Sequence, residues 1–299
     1  MRPLPTQSPT PCIENDAACA CGSATHSLWQ ARRAFLKLGG IAATAAAMPA
    51  WAQVEVGEAS RLRHLIPAED LEKAAEQQYA ELLQQAKTKG VLVASSNAQS
   101  QRLQRIASAL IPHTYAWNER ARQWNWAVAL IRSDDVNAFC MPGGKIAFFT
   151  GIIDKLKLTD DEIAMIMGHE MAHALREHSR EQLAKNSATS IGISLGAQLL
   201  GLGDMGNYAA RLGGQLLSLR FSRNDESDAD LVGLEIAARA GYNPKASVTL
   251  WQKMGNATGS GANGLAFLST HPSGPERIRE LERNVPRVEA LYQAARKPR

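Results

Sequence analysis

Gly168-His-Glu-Met-Ala-His-Ala-Leu-Arg-Glu-His178 places three of the chain's seven histidines within ten positions. His169 and His173 stand four apart, so on an α-helix both rings leave one face, about one turn from each other. Glu170 follows His169 directly. The segment is either the polar face of an ordinary helix or part of a metal site, and its surroundings decide between these.

Thr159-Asp160-Asp161-Glu162 has the pattern of a capping box, with acids at the positive end of the helix dipole. The helix it starts runs through Ile163, Ile166 and Met167, an apolar side opposite the histidines. His-Glu-x-x-His on such a helix is a zinc-binding arrangement, with Glu170 placed as general base for water on the ion. Two surface histidines paired with nearby acids are the plainer alternative. His178 is nine residues from His169, roughly 180° around a continuous helix, and is expected to face away.

A third ligand must then come from elsewhere in the chain. Ser222-Arg-Asn-Asp-Glu226-Ser-Asp-Ala-Asp230 sets Glu226 and Asp230 at i and i+4, again on one helical face. That spacing suits a carboxylate ligand, Glu226, and a carboxylate, Asp230, that accepts the free ring N–H of a ligating histidine. A solvated acidic helix start is the alternative, since acids favour that end of a helix anyway.

Around these motifs the pattern is mostly helical. Residues 60–88 and 98–111 repeat apolar side chains at helical intervals, the first through Leu71, Ala75, Tyr79 and Leu82. From Trp124 to Leu130 every second residue is large, which predicts a strand, and Val136 to Cys140 and Lys145 to Thr150 predict two more. Met141-Pro-Gly-Gly144 between them reads as a turn. Residues 187–202 are apolar but too short to span a bilayer and predict a buried helix. Gly255 to Gly264 reads as a loop, with a helix over 274–283 after it. The expected fold is α+β, mostly helical, with a small sheet of three or four strands.

The first 52 residues differ in kind. Ala31-Arg32-Arg33-Ala34-Phe35-Leu36-Lys37, the Ala-rich run from Leu38 to Pro49 and the small-x-small Ala50-Trp51-Ala52 predict a twin-arginine export signal. The expected organisation is therefore a signal at 1–52 and one domain at 53–299, located in the periplasm, with an uncleaved membrane anchor as the lesser alternative. Three of the four cysteines, Cys12, Cys19 and Cys21, fall in the signal, which leaves Cys140 alone and no internal disulfide. Of 33 basic and 29 acidic residues, four basic and two acidic lie in 1–52, so 29 and 27 remain. That balance gives no reason to expect nucleic acid as a partner.

The two metal motifs together resemble the gluzincin family of the CAAX prenyl endopeptidases, HtpX-like heat-shock proteases and soluble periplasmic BepA-like proteases. Asn137-Ala138-Phe139 with Pro142-Gly-Gly resembles that family's edge strand, and Ser269-Thr-His271-Pro with Arg277 its late loop. The resemblance covers residues 60–285 and implies a zincin-like fold, one Zn²⁺ per chain and zinc-assisted peptide hydrolysis. His169, His173 and Glu226 would hold the ion and leave a fourth position for water. His271 or Arg277 would be the second electrophile at the oxyanion, unless His271 swings onto the metal or merely caps a helix. Substrate would add as a strand along Asn137–Phe139. The implied partners are unfolded envelope polypeptides, with peripheral contact to the membrane or to envelope assembly proteins as a further expectation. Prenylated substrates and docking through tetratricopeptide repeats are not expected. The rival reading is an envelope chaperone or assembly factor stabilised by zinc.

Replacing both Arg32 and Arg33 by lysine should leave an uncleaved precursor in the cytoplasm, read by fractionation and intact mass. Normal processing at Ala52 in that double variant would rule out the twin-arginine route.

Overall fold

The computed structural model describes residues 54–186, 216–217, 219–259, 266–271 and 274–295. The expected signal at 1–52 and the expected buried helix at 187–202 lie outside them. Helix α1 (Ala68–Thr88) follows Pro67, and a separate 3-10 turn occupies Arg61–Leu65. The residue before a proline is pushed out of the helical region, and Ile66 is extended there (φ −115°, ψ 123°). The helix expected over 60–88 is therefore two pieces. Helix α2 (Ala98–Leu110) is capped by Asn97, whose side chain accepts from the Gln99 N–H.

Strands β1 (Ala127–Ile131), β2 (Ala138–Met141) and β3 (Lys145–Phe149) form one sheet in the order β1-β3-β2. β1 runs parallel to β3, and β2 antiparallel to it through the turn at Gly143 and Gly144, both at positive φ. Each strand is offset from its expected bounds, β1 and β3 for a local reason. Trp124 and Trp126 stay outside β1 because their indole N–H groups donate to Glu72 Oε1 (2.9 Å) and the Ala121 carbonyl (3.1 Å). Thr150 leaves the sheet to open α3 (Thr150–Leu156), its hydroxyl donating to the Ser133 carbonyl at 3.0 Å.

Alternation along the strands gives the sheet two buried faces. Leu130, Cys140, Ile146 and Phe148 join the main core with Leu103 and Ile106 of α2, while Ile131, Met141 and Ala147 join a second cluster with Leu71 and Ala75 of α1. The Tyr79 hydroxyl pins α1 to the sheet by donating to the Ile146 carbonyl at 2.8 Å.

Helix α4 (Asp160–Leu175) carries the opening motif and begins at the expected capping box, Thr159 with Glu162. It is not half-exposed. Every residue from Glu162 to Leu175 is buried, so its polar face looks onto other polar groups and away from water. α5 (178–186) follows after a two-residue break. α6 (Arg223–Arg239) carries the second motif and starts at its own capping box, Ser222 with Asp225. α7 (Ala246–Gly259), α8 (Ala266–Thr270) and α9 (Pro275–Ala294) complete the described elements. The loop expected from Gly255 is helical as far as Gly259, and its last residues lie outside the described ones. Among the described residues no helix is long and apolar enough to cross a membrane.

α4 and α6 cross backbone to backbone. A Cβ on Gly233 would lie 2.6 Å from the His169 nitrogen and 2.7 Å from the Gly168 carbonyl carbon, and one on Gly168 would lie 2.8 Å from the Gly233 oxygen. No side chain fits there without parting the helices. Gly233→Ala should therefore lower stability by about 1–3 kcal/mol, the usual range for overpacking, in urea unfolding of the purified protein. Gly255→Ala is the control, because a Cβ there meets nothing; it should be neutral or add about 0.5–1 kcal/mol. Equal unfolding midpoints for the two variants would show that the crossing does not need its glycines.

Candidate metal centre

Four side chains from three elements converge at the crossing. α4 projects His169 and His173, the capped first turn of α6 brings Glu226, and His271 follows directly on α8. One ligand atom from each lies within 4.8 Å of every other, and all four residues are buried. His173 Nε2 is 3.1 Å from His169 Nε2, and His271 Nδ1 is 3.3 Å from His169 Nε2. Glu226 Oε1 is 2.9 Å from His271 Nδ1 and 3.5 Å from His173 Nε2, while its Oε2 is 3.6 Å from His169 Nε2.

These separations and the tautomers around them fit a bound cation. Donors at zinc bond lengths of about 2.0–2.1 Å stand roughly 3.3–3.4 Å apart in a tetrahedron, which is where these atoms lie. Asp230 Oδ1 sits 3.0 Å from His169 Nδ1 and can only accept, which puts the proton on Nδ1 and leaves Nε2 bare. His173 Nε2, His271 Nδ1 and the Glu226 carboxylate all stand close to this bare nitrogen, so a cation held among them would meet four donors at once. Two or three imidazoles with one carboxylate are zinc's donor chemistry.

The neighbouring groups are equally committed. Arg277 donates from Nε to Asp230 Oδ2 (2.5 Å), from Nη2 to Asp230 Oδ1 (2.7 Å) and from Nη1 to Glu226 Oε2 (2.6 Å). Its guanidinium also stacks over the Trp251 ring at 3.5 Å. The structure thus brings Arg277 to the site but turns these donors onto the two carboxylates of α6. Burial raises the Asp230 carboxyl, but the Arg277 charge and the hydrogen bond from His169 outweigh it and hold it below its usual range. Glu170 is buried beside the cluster, and its Oε1 has no hydrogen-bond partner among the described residues. Burial pushes this carboxyl up against the pull of His271 and His169.

His178 departs from the sequence reading. α4 stops at Leu175, and Glu177 adopts a left-handed conformation (φ 59°), so the half-turn argument for a continuous helix does not apply. The chain turns back and His178 faces the site, with its Nδ1 3.0 Å from His173 Nδ1. Burial drives this histidine's pKa down to about 4, so it is neutral near pH 7. Nothing in Arg176-Glu177 marks the break, because neither residue is Gly, Asn or Pro. Trp251 was equally hidden, since an aromatic at helical spacing reads as core.

The other expected residues lie where a substrate would approach. Ala138 and Phe139 belong to β2 at the end of the sheet order, and Asn137 precedes them. A cavity of about 130 Å³ is lined by Asn137, Ala138, Phe139, Glu170, His173 and His271, with Phe221 and Phe149 among its apolar walls.

Comparison with known proteins agrees with this geometry. The model of peptidase family M48 matches residues 97–285. The mitochondrial metalloendopeptidase OMA1 of Schizosaccharomyces pombe is 39% identical over 165 residues, which is 55% of this chain and 48% of that protein. The beta-barrel assembly-enhancing protease of Escherichia coli O157:H7 is 26% identical over 157 residues, 50% of this chain and 32% of that one. The metalloprotease LoiP of Escherichia coli K12 is 27% identical over 206 residues, 66% of this chain and 75% of that one. The chain spans about half the length of the OMA1 protein of S. pombe and a third of that of Arabidopsis thaliana.

Proposed function

The chain belongs to peptidase family M48, and from that membership and the geometry of the site we propose that it is a zinc-dependent endopeptidase of unfolded or unassembled envelope proteins. One observation carries the proposal. Glu170 is a buried carboxylate whose Oε1 has no hydrogen-bond partner among the described residues, at the edge of a cluster built to hold a cation. A site that only stabilised the fold would have no use for a costly buried base.

When bound, zinc supplies Lewis acidity toward a peptide carbonyl and toward water. The protein's own groups do the rest. Glu170 takes the proton of the attacking water and returns it to the leaving amine. Asp230 orients His169, and Arg277 clamps Asp230 and Glu226 from behind. In this reading Arg277 is a positioning residue and gives up the oxyanion role considered for it. An extended substrate pairs along β2, where backbone hydrogen bonds accept many sequences, and the apolar walls beside Phe139 and Phe221 take a side chain.

His271 supports a refinement. Its Nδ1 stands among the ligand atoms and its Nε2 is 3.5 Å from Glu170 Oε1. A fourth protein donor is also what a purely structural zinc site would have, which keeps the chaperone reading alive. The reading that accommodates both Glu170 and His271 is a resting state, with His271 as a removable latch carried by α8. It holds back cleavage until substrate displaces it.

We take the chain to be exported through the twin-arginine signal at 1–52 and to act in the periplasm. The name of the Escherichia coli relative, a beta-barrel assembly-enhancing protease, is in keeping with envelope clients.

Glu170→Gln should keep one zinc per chain and lose hydrolysis of casein by at least about 10²-fold, the lower end for removing a general base. Appreciable cleavage by that variant would overturn the assignment of the base. His271→Ala should still bind zinc and should cleave casein faster than wild type. Loss of zinc together with a lower melting temperature in His271→Ala would favour the structural site.

A further inference from the structure

We propose that His178 is a positioning residue for the metal centre: its Nδ1 accepts the Nδ1–H of His173 and so holds that ring with Nε2 bare toward the ion. The inference rests on the zinc reading of the site. If His173 binds through Nε2, its only proton is on Nδ1 and must be donated. His178 Nδ1 is 3.0 Å away, and the ring is 3% exposed. The proton of His178 is then on its Nε2.

The turn that delivers His178 is held from several sides. Glu177 takes a backbone conformation that costs a residue with a Cβ, and its carboxylate is anchored by Arg180 (2.7 Å) and Arg63 (3.1 Å). Asn118 Nδ2 donates to the Leu175 carbonyl at 3.0 Å, satisfying the end of α4. Phe221 stacks on His173 with ring centroids 4.0 Å apart, so the ligand ring is fixed in plane as well as in tautomer.

Metal-bound histidines usually donate their remaining ring N–H to a carboxylate, a carbonyl or water. His169 follows that pattern with Asp230. Behind His173 a further carboxylate would add negative charge to a site that already holds Glu170, Glu226 and Asp230. A neutral imidazole accepts the same hydrogen bond without adding charge. The two ligand rings are thus supported differently, one by an anion and one by a neutral acceptor.

The contrasting possibility is that His178 only fills space, since its ring meets His173 edge-on with centroids 5.0 Å apart. Substitution separates the two. In full-length protein, His178→Leu should weaken zinc binding by about 10–100-fold in competition with a chromogenic chelator. His178→Asn puts an amide oxygen near the place of Nδ1 and should stay within about threefold of wild type. Leucine binding as tightly as wild type, or asparagine binding as weakly as leucine, would overturn the proposal. A measurement on the zinc-loaded wild type needs no variant: ¹H–¹⁵N correlation of the ring nitrogens should find His178 protonated on Nε2 and bare on Nδ1. The opposite tautomer would overturn the proposal even if His178→Leu failed to fold. Wild-type protein that holds no zinc would instead overturn the metal reading itself.

Discussion

Backbone meets backbone where Gly168 of α4 crosses Gly233 of α6, and the site is laid out from that contact. His169 is the next residue after one glycine. Asp230 and Glu226 lie three and seven residues before the other, on the same face at helical spacing. With no Cβ between them, the helices are close enough for Asp230 to reach the far nitrogen of His169 and for Glu226 to face both histidines. Any side chain at the crossing would part the ligands before it disturbed the rest of the core.

Charge is the second constraint. Glu170, Glu226, Asp230 and Arg277 are all buried, and each buried ion carries a penalty of several kcal/mol unless it is paired. Three carboxylates against one guanidinium leave the cluster short of positive charge, and a divalent cation among the four donors restores the balance. The arginine cannot be replaced by a point charge with the same result. Its planar fork binds both oxygens of Asp230 while a third donor reaches Glu226, a geometry that only guanidinium offers. Trp251 beneath it shields the pair from water on that side.

What was legible in the sequence was what a few neighbouring residues decide. The Thr159 capping box, the two histidines on one face of α4 and the carboxylate pair on α6 depend on spacing within one helix, and they stand where the spacing puts them. The turn at Gly143-Gly144 was readable because positive φ favours glycine. Less was legible where distant groups override local preference. Glu177 turns the chain without a glycine because Arg63 and Arg180 hold its side chain, so His178 looked remote from the site when it adjoins it. Arg277 was expected as a candidate at the oxyanion because the partners that hold it, Asp230 and Glu226, lie 47 and 51 residues away. Trp124 and Trp126 have strand character by themselves, but their indole N–H groups find acceptors outside the sheet. Gly255 to Gly259 remain helical although glycine is a poor helix former.

The claim on which the rest stands is that His169, His173, Glu226 and His271 close around one zinc ion in the resting protein. X-ray absorption at the zinc edge on purified, catalytically rested protein tests it most directly. Three nitrogens and one oxygen at about 2.0–2.1 Å, with the multiple-scattering signature of imidazole, are the expected first sphere. Metal bound substoichiometrically, or in a six-coordinate shell of oxygens, would contradict it.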